Sequence, residues 1–522
     1  MRRLCPMHSA APGRLVDESV ERSVERSVVL AVAGSDSAGL AGLAMDIRVQ
    51  TALGVHCAAA LSANTAQNGQ GVLASNPVAT AQFQLQLAAA ASLNLRVVKA
   101  GMLATAEQVQ ALCDWLQHHP LPLIYDPVLN SSSGHALGEA ALPDVILRQL
   151  LGLCELITPN VDEASQLTGM PVATVADVER VAQHLVARGA RAVLIKGGHL
   201  RGTQSQDFFL SPEQAFWLSS PRYSAAQRDG GGNSTGNTRG TGCALASAIA
   251  AARALGYALP DAVVIGKMAI NQGLRQAYRC AGAGSTVHIT AFPDAPEDLP
   301  TLQRQPDYRV PPAFPDCGAQ PLGLYPIVDR AAWLERLLPL GVSTIQLRIK
   351  DLHGAALLRE IDRAVAISRQ AGCRLFINDH WREAIAAGAY GVHLGQEDLL
   401  TADLPALRQA GLRLGVSSHC HYEVAAARAV RPSYIACGPV YPTETKCMPW
   451  VPQGAAGLRY WRGVLPVIPL VAIGGINLAR CAEVLAAGAD GVALISAITG
   501  AADPEVMTRQ LLSVIQNEPP VK

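Results

Sequence analysis

Charged and polar side chains recur directly after short apolar runs in the C-terminal half of the chain. In the run TIQLRIK, Gln346, Arg348 and Lys350 alternate, so an extended strand would place all three on one face. Asp379 and Asp398 follow the next two apolar runs. Two carboxylates on neighbouring strands suit Mg²⁺, which proteins usually hold through one or two carboxylates together with substrate phosphates. These residues predict a site for a metal-bound diphosphate, whose remaining charge Arg348, Lys350 and the later Lys446 would neutralise.

A second anion site is predicted from the stretch GPVYPTETK, residues 438–446, and from two later apolar runs. The stretch carries two threonine hydroxyls and Lys446. Gly475 in AIGGI and Ser496 in ALISAI lie at the ends of the last two runs, and Ser496 precedes a predicted helix. Such backbone amides resemble the phosphate site that many barrels build after strands seven and eight. We therefore expect a plain monophosphate site beside the metal-diphosphate site.

Simpler structural roles remain open for some of these residues. An aspartate at a strand end is often a helix cap, which applies to Asp379 or Asp398 taken singly. His393 and His419 could equally lie in the core or at its rim, so neither receives a role. The joint placement of two carboxylates with three cations favours the metal-diphosphate site.

Eight strand-like runs, each followed by residues that can form a helix, must position these side chains. Eight such units predict a (β/α)8 TIM barrel over residues 322–518, in which chemistry lies at the carboxyl ends of the strands. The runs are LYPIVD, TIQLR, RLFIND, GVHLG, RLGVSS, YIACGPV, PLVAIGG and GVALIS.

The N-terminal half contains a glycine turn followed by an alanine-rich helix, GTGCALASAIAAARALG, residues 240–256. Small residues let the amides of Gly240 to Gly242 point at one anion, and the helix dipole adds to the attraction. Cys243 falls in the first helical turn, where we expect a lowered thiol pKa, so that a thiolate could accept a hydroxyl proton. A packing cysteine beside a structural turn is the alternative.

Strand-like and helical patterns alternate over residues 28–290, which predicts a mostly parallel α/β sheet. Residues 291–321 are dense in proline and poor in apolar period, so we predict a linker between two domains there. Residues 1–27 form a polar N-terminal extension. The strand-like runs of the first domain are VVLAVAGSD, RVVKAGML, LPLIYDPVL, CELITPN and RAVLIKGG.

Composition excludes several classes of protein. The 522 residues include 42 basic and 42 acidic side chains, so no broad field points to nucleic acid or an anionic membrane. The twelve cysteines form no C-x-x-C pair and no Cys/His cluster, which argues against a zinc module or a disulfide framework. No apolar run reaches the ~18 to 20 residues that span a bilayer. We expect a cytoplasmic protein that acts on small molecules without nucleic-acid or membrane partners, and leave homo-oligomer formation open.

The C-terminal half resembles thiamine-phosphate synthase over residues 322–514, through the motifs QLRIK, IND, GVHLGQED, GVS, GPVYPTETK, AIGGI and GVALISAI. In that family a hydroxymethylpyrimidine diphosphate loses pyrophosphate, and the nitrogen of a thiazole phosphate captures the pyrimidine methylene cation. The resemblance implies that Asp379 and Asp398 hold Mg²⁺ and that Lys446 neutralises the leaving pyrophosphate.

The same resemblance implies two sets of substrate contacts. The pyrimidine diphosphate would be held by Gln346, Leu347, Arg348, Ile349, Lys350, Asn378, Ser417 and Lys446. The thiazole phosphate would be held by Thr443, Glu444, Thr445, Gly475, Ile495 and Ser496. A sister family of similar barrels aromatises thiazole instead, but the intact QLRIK and TETK argue against it.

The N-terminal half resembles hydroxymethylpyrimidine and phosphomethylpyrimidine kinase over residues 28–290, through AGSDSAGLAG, SANTAQNGQGV, ITPNVDEA, VLIKGGH and GTGC. The resemblance implies a ribokinase-like α/β sandwich in which Gly240, Thr241 and Gly242 form an anion hole and Cys243 is the base. It implies pyrimidine contacts from Asp46, Gln67 and Met102. Contacts with the co-substrate ATP and its Mg²⁺ would come from Asp126, Asn160, Glu163, Lys196 and Lys267.

The N-terminal half also departs from that family's pattern. Its first loop reads GSDSAGLAG where GSDPSGGAG is usual, and Arg239 stands in place of the usual histidine before GTGC. An extra glycine-rich stretch, residues 228–237, could be a lid or a neutral insertion.

Together the two resemblances predict a bifunctional enzyme of thiamine biosynthesis, in which the product of the first domain is the substrate of the second. The first domain would phosphorylate hydroxymethylpyrimidine phosphate with ATP. Whether it also phosphorylates the free alcohol, hydroxymethylpyrimidine, is left open. Two alternatives remain for that domain: a degenerate ligand-binding or regulatory module beside a catalytic barrel, or a kinase for another alcohol such as pyridoxine or hydroxyethylthiazole.

Overall fold

The computed structural model describes residues 25–68, 71–130, 137–198, 203–223, 238–282, 284–306, 309–443 and 451–517. Contacts divide the chain between residues 308 and 309 into two compact units. In the part of the chain that is described, no helix is both long and apolar enough to cross a membrane.

The N-terminal unit is built on a nine-stranded sheet. The strands of the unit are β1 (Val28–Ala33), β2 (His56–Leu61), β3 (Ala63–Asn68), β4 (Gly71–Pro77), β5 (Leu95–Ala100), β6 (Leu123–Tyr125), β7 (Cys154–Ile157), β8 (Val193–Gly197), β9 (Gln204–Leu210), β10 (Ala215–Pro221), β11 (Tyr278–Cys280), β12 (Gly284–Thr286) and β13 (Thr301–Gln303). The sheet order is β13-β10-β9-β8-β7-β6-β5-β1-β2, with β1, β2 and β5 to β8 parallel. Two further antiparallel pairs, β3 with β4 and β11 with β12, lie outside this sheet.

Helices cover both faces of the sheet, so its central strands are mostly apolar, as in VVLAVA of β1 and LIY of β6. Leu30 and Val32 of β1 pack into a core with Phe83 and Trp217. The helices are α1 (Gly42–Ala52), α2 (Thr80–Ala90), α3 (Ala106–His118), α4 (Leu142–Val145), α5 (Val161–Thr168), α6 (Val175–Ala187), α7 (Thr241–Ala254) and α8 (Leu259–Arg275). The alanine-rich α7 is buried over most of its length, because small side chains allow close packing on the sheet and on α8.

The C-terminal unit is a closed barrel of eight parallel strands, in which the last strand pairs with the first. The strands are β14 (Gly323–Val328), β15 (Thr344–Leu347), β16 (Arg374–Asn378), β17 (Gly391–Leu394), β18 (Arg413–Ser418), β19 (Tyr434–Cys437), β20 (Leu470–Ile473) and β21 (Gly491–Leu494). The helices are α9 (Ala332–Leu337), α10 (Gly354–Gln370), α11 (Trp381–Ala387), α12 (Gln396–Thr401), α13 (Leu404–Gln409), α14 (His421–Ala429), α15 (Gly454–Val464), α16 (Leu478–Ala486), α17 (Ser496–Thr499) and α18 (Pro504–Asn517). Both predicted fold classes, the ribokinase-like α/β sandwich and the TIM barrel, are confirmed.

The proline-rich segment 291–321 differs from the predicted linker because its two ends are built into the two units. β13 pairs with β10 at the edge of the N-terminal sheet, and Arg275 on α8 donates two hydrogen bonds to Asp298, at 2.8 and 2.7 Å. Phe314 and Cys317 are buried in the C-terminal unit. The short strand β13, single buried side chains and the pairs of Arg275 with Glu297 and Asp298 hold this segment, and none of these contacts has a periodic pattern that a sequence reveals.

Large aromatic rings fill the interior of the barrel. Tyr325, Phe376 and Tyr434 belong to one buried cluster, and their ring centroids lie 5.2 to 6.0 Å apart. Room for the ring of Tyr434 comes from Gly415 on the neighbouring strand β18, where an added Cβ would overlap the ring. The fully buried ring has no solvent-facing side toward which it could move.

Gly415→Ala is therefore expected to lower the free energy of unfolding of the barrel by about 1–3 kcal/mol, the usual cost of overpacking a core. Urea unfolding of the full chain measures this change. Gly152→Ala serves as the control, because an added Cβ there meets open space. Equal unfolding midpoints for Gly415→Ala and the parent chain would contradict the packing described.

Candidate active sites

A cleft of about 930 Å³ opens in the N-terminal unit at the carboxyl ends of the parallel strands. The first turn of α7 forms one wall, and further lining residues come from β3, from α8 and from the segments after β1, β5, β6, β7 and β8. The cleft brings together these predicted residues: Gln67, Met102, Asp126, Asn160, Glu163, Lys196, Gly240, Thr241, Gly242, Cys243 and Lys267. Its volume falls in the range of known small-molecule sites.

Asp46 was predicted to contact the pyrimidine, but its side chain does not line the cleft. The side chain is fully buried on α1, where both carboxylate oxygens accept from Lys99 at 2.9 Å and one accepts from Ser247 at 2.7 Å. Lys99 itself lines the cleft. Asp46 therefore acts on the cleft through Lys99, a residue that the sequence reasoning missed although a lysine inside the apolar run RVVKAGML was the available signal.

Charged side chains form a paired cluster in the cleft. Lys196 contacts Asp126 at 2.6 Å and Glu163 at 3.6 Å. Glu163 also forms a capping box with Asn160 at the start of α5, in which each side chain accepts from the other residue's amide. Burial, only partly offset by Lys196, raises the pKa of Glu163 to about 7. Lys267 on α8 forms a separate pair with Asp207 at 2.7 Å.

The glycine turn before α7 requires glycine for two reasons. Gly240 has φ of 80°, in the left-handed region, and an added Cβ would overlap the carbonyl oxygen of Leu40. At Gly242 a Cβ would lie 3.2 Å from the ammonium of Lys196. The turn therefore presents bare backbone next to a cation at the start of a long helix, as anion binding requires.

The pKa of the Cys243 thiol is raised, whereas the sequence predicted that it would be lowered. Burial raises the pKa of the thiol to about 11 and outweighs the nearby charge of Lys99 and a hydrogen bond from the amide of Gly42. The charges of Asp126 and Asp46 raise the pKa further. The prediction rested on the helix terminus alone and could not include the carboxylates that the fold places around the thiol.

The unusual loop GSDSAGLAG forms a compact turn after β1. The carboxylate of Asp36 accepts from the amides of Ala38 and Leu40, both at 2.9 Å. Gly42 keeps a left-handed φ of 56° at the close approach to Gly34. The altered sequence therefore retains the hydrogen bonds that define a turn.

In the barrel, Asp379 and Asp398 lie together as predicted. Asp379 follows β16, contacts the ammonium of Lys350, and adopts a left-handed φ of 61°, which is uncommon outside glycine. Asp398 shares a hydrogen bond with Asp379. Burial first, and then the charge and hydrogen bond of Asp379, raise the pKa of Asp398. Two carboxylates held this close are stabilised by an added positive charge.

The other predicted diphosphate contacts lie around this pair on neighbouring strands. β15 ends at Leu347, so Arg348 and Lys350 extend beyond the strand, and Lys350 is exposed. Leu347 and Ile349 are apolar and buried, each 1% exposed. The amide oxygen of Asn378 is buried without a hydrogen-bond partner among the described residues, which leaves it available to a ligand.

A buried hydrogen-bond chain connects two predicted contacts, Gln346 and Ser417. The amide of Gln346 donates to the hydroxyl of Tyr325 at 3.4 Å, and that hydroxyl lies 2.8 Å from the hydroxyl of Tyr434. The ring nitrogens of His393 lie 2.7 Å from Tyr434 Oη and 2.8 Å from Ser417 Oγ. Burial lowers the pKa of His393 to about 4, so the ring is neutral at neutral pH. The sequence reasoning gave His393 no role, because a histidine within an apolar run does not reveal its partners.

The predicted phosphate site lies at the ends of the last strands. Gly475 has φ of 64°, and a Cβ there would overlap the backbone of Pro442. Ser496 begins α17, with Ile495 immediately before it, and Thr443 follows β19. Glu444, Thr445 and Lys446 lie outside the described residues, as does the whole glycine-rich stretch 228–237. Within the described ranges no group of three or more His, Cys, Asp or Glu residues could hold a metal ion.

Comparisons with known proteins assign a family to each unit. Residues 36–288 match the phosphomethylpyrimidine kinase family, and residues 324–498 match the thiamine monophosphate synthase family. The thiamine-phosphate synthase of Yersinia pseudotuberculosis is 52% identical over 207 residues, which are 40% of this chain and 96% of that protein. That of Photorhabdus laumondii is 54% identical over 195 residues, 37% of this chain and 90% of that protein.

Solved structures similar to the chain include vitamin kinases. The phosphomethylpyrimidine kinase of Clostridium difficile is 31% identical with a TM-score of 0.40, over 47% of this chain and 97% of that one. The pyridoxal kinase of Staphylococcus aureus in complex with AMP-PCP and pyridoxal is 22% identical with a TM-score of 0.47, over 53% of this chain and 98% of that one.

The barrel carries its family's motifs at the carboxyl ends of its strands, and nearly the full length of the synthases aligns with it. The N-terminal unit matches the kinase family over most of its length. The chain therefore belongs to the thiamine-phosphate synthase family and joins this synthase domain to a phosphomethylpyrimidine kinase domain.

Proposed function

We propose that the two sites catalyse consecutive steps. The N-terminal cleft transfers a phosphoryl group from ATP to hydroxymethylpyrimidine phosphate, and the barrel couples the resulting diphosphate to hydroxyethylthiazole phosphate. Thiamine phosphate and pyrophosphate are the final products. All substrates are small and water-soluble, which fits a cytoplasmic enzyme.

In the cleft, the chain's own groups divide the work of phosphoryl transfer. Gln67 and Met102 hold the pyrimidine ring, and the amides of Gly240 to Gly242 bind the transferring group where charge builds up. Cys243 lies in the first turn beyond these amides and accepts the proton of the substrate hydroxyl. Because burial raises the pKa of this thiol to about 11, Cys243 must first lose its own proton to solvent, and the resulting thiolate then takes up the hydroxyl proton and returns to the thiol.

ATP and magnesium fit the paired cluster beside the turn. The charge of Asp126 adds to the raised pKa of Glu163, so a cation between these carboxylates would be favourable, and Asn160 lines the same cleft. Lys196 and Lys267 supply positive charge for the phosphates. When bound, magnesium would neutralise the charge of the bridging phosphates.

In the barrel, the convergence of Lys350, Asp379 and Asp398 is the observation that carries the proposal. Asp379 and Asp398 would hold Mg²⁺, which would neutralise the departing pyrophosphate when bound. Arg348 and Lys350 hold the diphosphate, while Asn378, Gln346 and Ser417 hold the pyrimidine. The thiazole phosphate is bound by Thr443, Gly475, Ile495 and Ser496, together with Glu444 and Thr445, while Lys446 neutralises the leaving pyrophosphate; residues 444–446 lie outside the described ranges. Departure of pyrophosphate leaves a methylene cation that the thiazole nitrogen captures, so no protein base is required.

Separate inactivation of the two sites tests the proposal. Cys243→Ala is expected to lower kinase turnover by at least about 100-fold, because a general base is lost. Coupling of supplied pyrimidine diphosphate to thiazole phosphate should remain at the parent rate. The two reactions are measured by ADP release and by thiamine phosphate formation. Unchanged kinase turnover would refute the role of Cys243 and favour a first domain that only binds ligand.

Asp398→Asn tests the metal site of the barrel. Removal of one carboxylate ligand is expected to raise the Mg²⁺ concentration for half-maximal coupling by at least about tenfold. Pyrophosphate release from supplied diphosphate is measured across a magnesium titration. Glu397→Gln is the matched control, because this exposed carboxylate is the neighbour of Asp398 on α12. An unchanged magnesium requirement in Asp398→Asn, or an equal shift in the control, would contradict the assignment.

A further inference from the structure

Arg239 connects the glycine turn of the cleft to the separate pair β3 and β4. Its amide donates to the carbonyl of Ser285 at 2.8 Å, so the backbone is fixed beside β12. Its guanidinium lines the cleft and donates to the carbonyl of Asn68 at 3.1 Å and to Oε1 of Gln67 at 3.3 Å. The Nε atom is buried without a hydrogen-bond partner among the described residues.

Gln67 is held by its backbone as well as by its side chain. The hydroxyl of Ser37 donates to the carbonyl of Gln67 at 2.7 Å and accepts from its amide at 2.8 Å. Ser37 belongs to the altered loop GSDSAGLAG, and Arg239 replaces the usual histidine. Two departures from the family pattern therefore converge on one residue that contacts the proposed substrate.

The contact with Arg239 fixes the orientation of the Gln67 amide. A guanidinium can only donate hydrogen bonds, so it binds the amide oxygen of Gln67. The amide rotated by 180° is disfavoured, because its NH₂ group would then face the donors of Arg239. The amide oxygen keeps a second lone pair, and the NH₂ group keeps its two donors. Gln67 can therefore present an acceptor and a donor side by side to a ligand in the cleft.

We propose that Arg239 is a positioning residue that makes the cleft selective for an aminopyrimidine alcohol. The edge presented by Gln67 matches a ring nitrogen that accepts next to an amino group that donates. A pyridine alcohol such as pyridoxine has no amino group beside its ring nitrogen. Its ring nitrogen can accept from the NH₂ group of Gln67, but it has no neighbouring amino group to donate to the amide oxygen. The inference rests on the proposed function, since it assumes that Gln67 binds the ring of the kinase substrate.

The test compares two substrates with the full chain, ATP and magnesium. Arg239→Met is expected to lower kcat/KM for hydroxymethylpyrimidine phosphate by about tenfold, the usual effect of disturbing one hydrogen bond of about 1.4 kcal/mol. The loss should lie mainly in KM, while kcat/KM for pyridoxine changes less than about twofold. Arg239→Lys should recover part of the loss, because an ammonium can still donate to Oε1 of Gln67.

Two controls separate positioning from a general structural effect. Arg48→Met removes another arginine, which donates to Gly39 and Tyr278 and does not contact Gln67, so selectivity should stay unchanged. In a Gln67→Ala background, Arg239→Met should have less than about a twofold further effect, because the amide it orients is absent.

Equal losses for both substrates, or a full effect of Arg239→Met in the Gln67→Ala background, would overturn the inference and leave the proposed function intact. If the parent chain phosphorylates pyridoxine and not the pyrimidine phosphate, the proposed function fails as well. The substrate that the parent chain phosphorylates therefore distinguishes failure of the proposed function from failure of the inference about Arg239.

Discussion

Pairing of lysine ammonium groups with carboxylates is the interaction on which both sites depend, with the lysines largely buried in the N-terminal unit and Lys350 exposed in the barrel. The chain has only six lysines, and the four that lie in the described residues each contact an aspartate. The pairs are Lys99 with Asp46, Lys196 with Asp126, Lys267 with Asp207, and Lys350 with Asp379. A cation withdrawn from water is costly unless a counter-charge compensates it. The aspartates supply that charge before an anionic substrate enters, so the lysines are already oriented when phosphate arrives.

The parallel sheets explain why these pairs lie where phosphates must bind. Carboxyl ends of parallel strands meet at one edge. In the N-terminal unit Asp126 follows β6 and Lys196 lies near the end of β8, and in the barrel Lys350 and Asp379 follow β15 and β16. In the N-terminal unit the start of α7 brings bare amides to the same place. In the barrel the aspartates after β16 and on α12 meet beside Lys350. One geometric rule thus accounts for the position of both proposed anion sites, although the two folds are unrelated.

The sequence predicted those features of the sites that depend on contacts between neighbouring residues. It did not predict features that depend on residues brought together by the assembled fold. The glycine turn and the aspartates at strand ends were predicted because each depends on a few neighbouring residues. The Lys99–Asp46 pair and the chain from Tyr325 to His393 join residues far apart in sequence. The pKa of Cys243 was misjudged for the same reason, since its direction depends on burial and distant carboxylates.

Fusion of the two domains places consecutive chemistry on one polypeptide, since the diphosphate made in the first cleft is the substrate of the barrel. The most direct measurement is product formation by the full chain incubated with hydroxymethylpyrimidine phosphate, thiazole phosphate, ATP and Mg²⁺. The account predicts thiamine phosphate, and none when ATP or thiazole phosphate is omitted. Absence of thiamine phosphate from the complete mixture would contradict it.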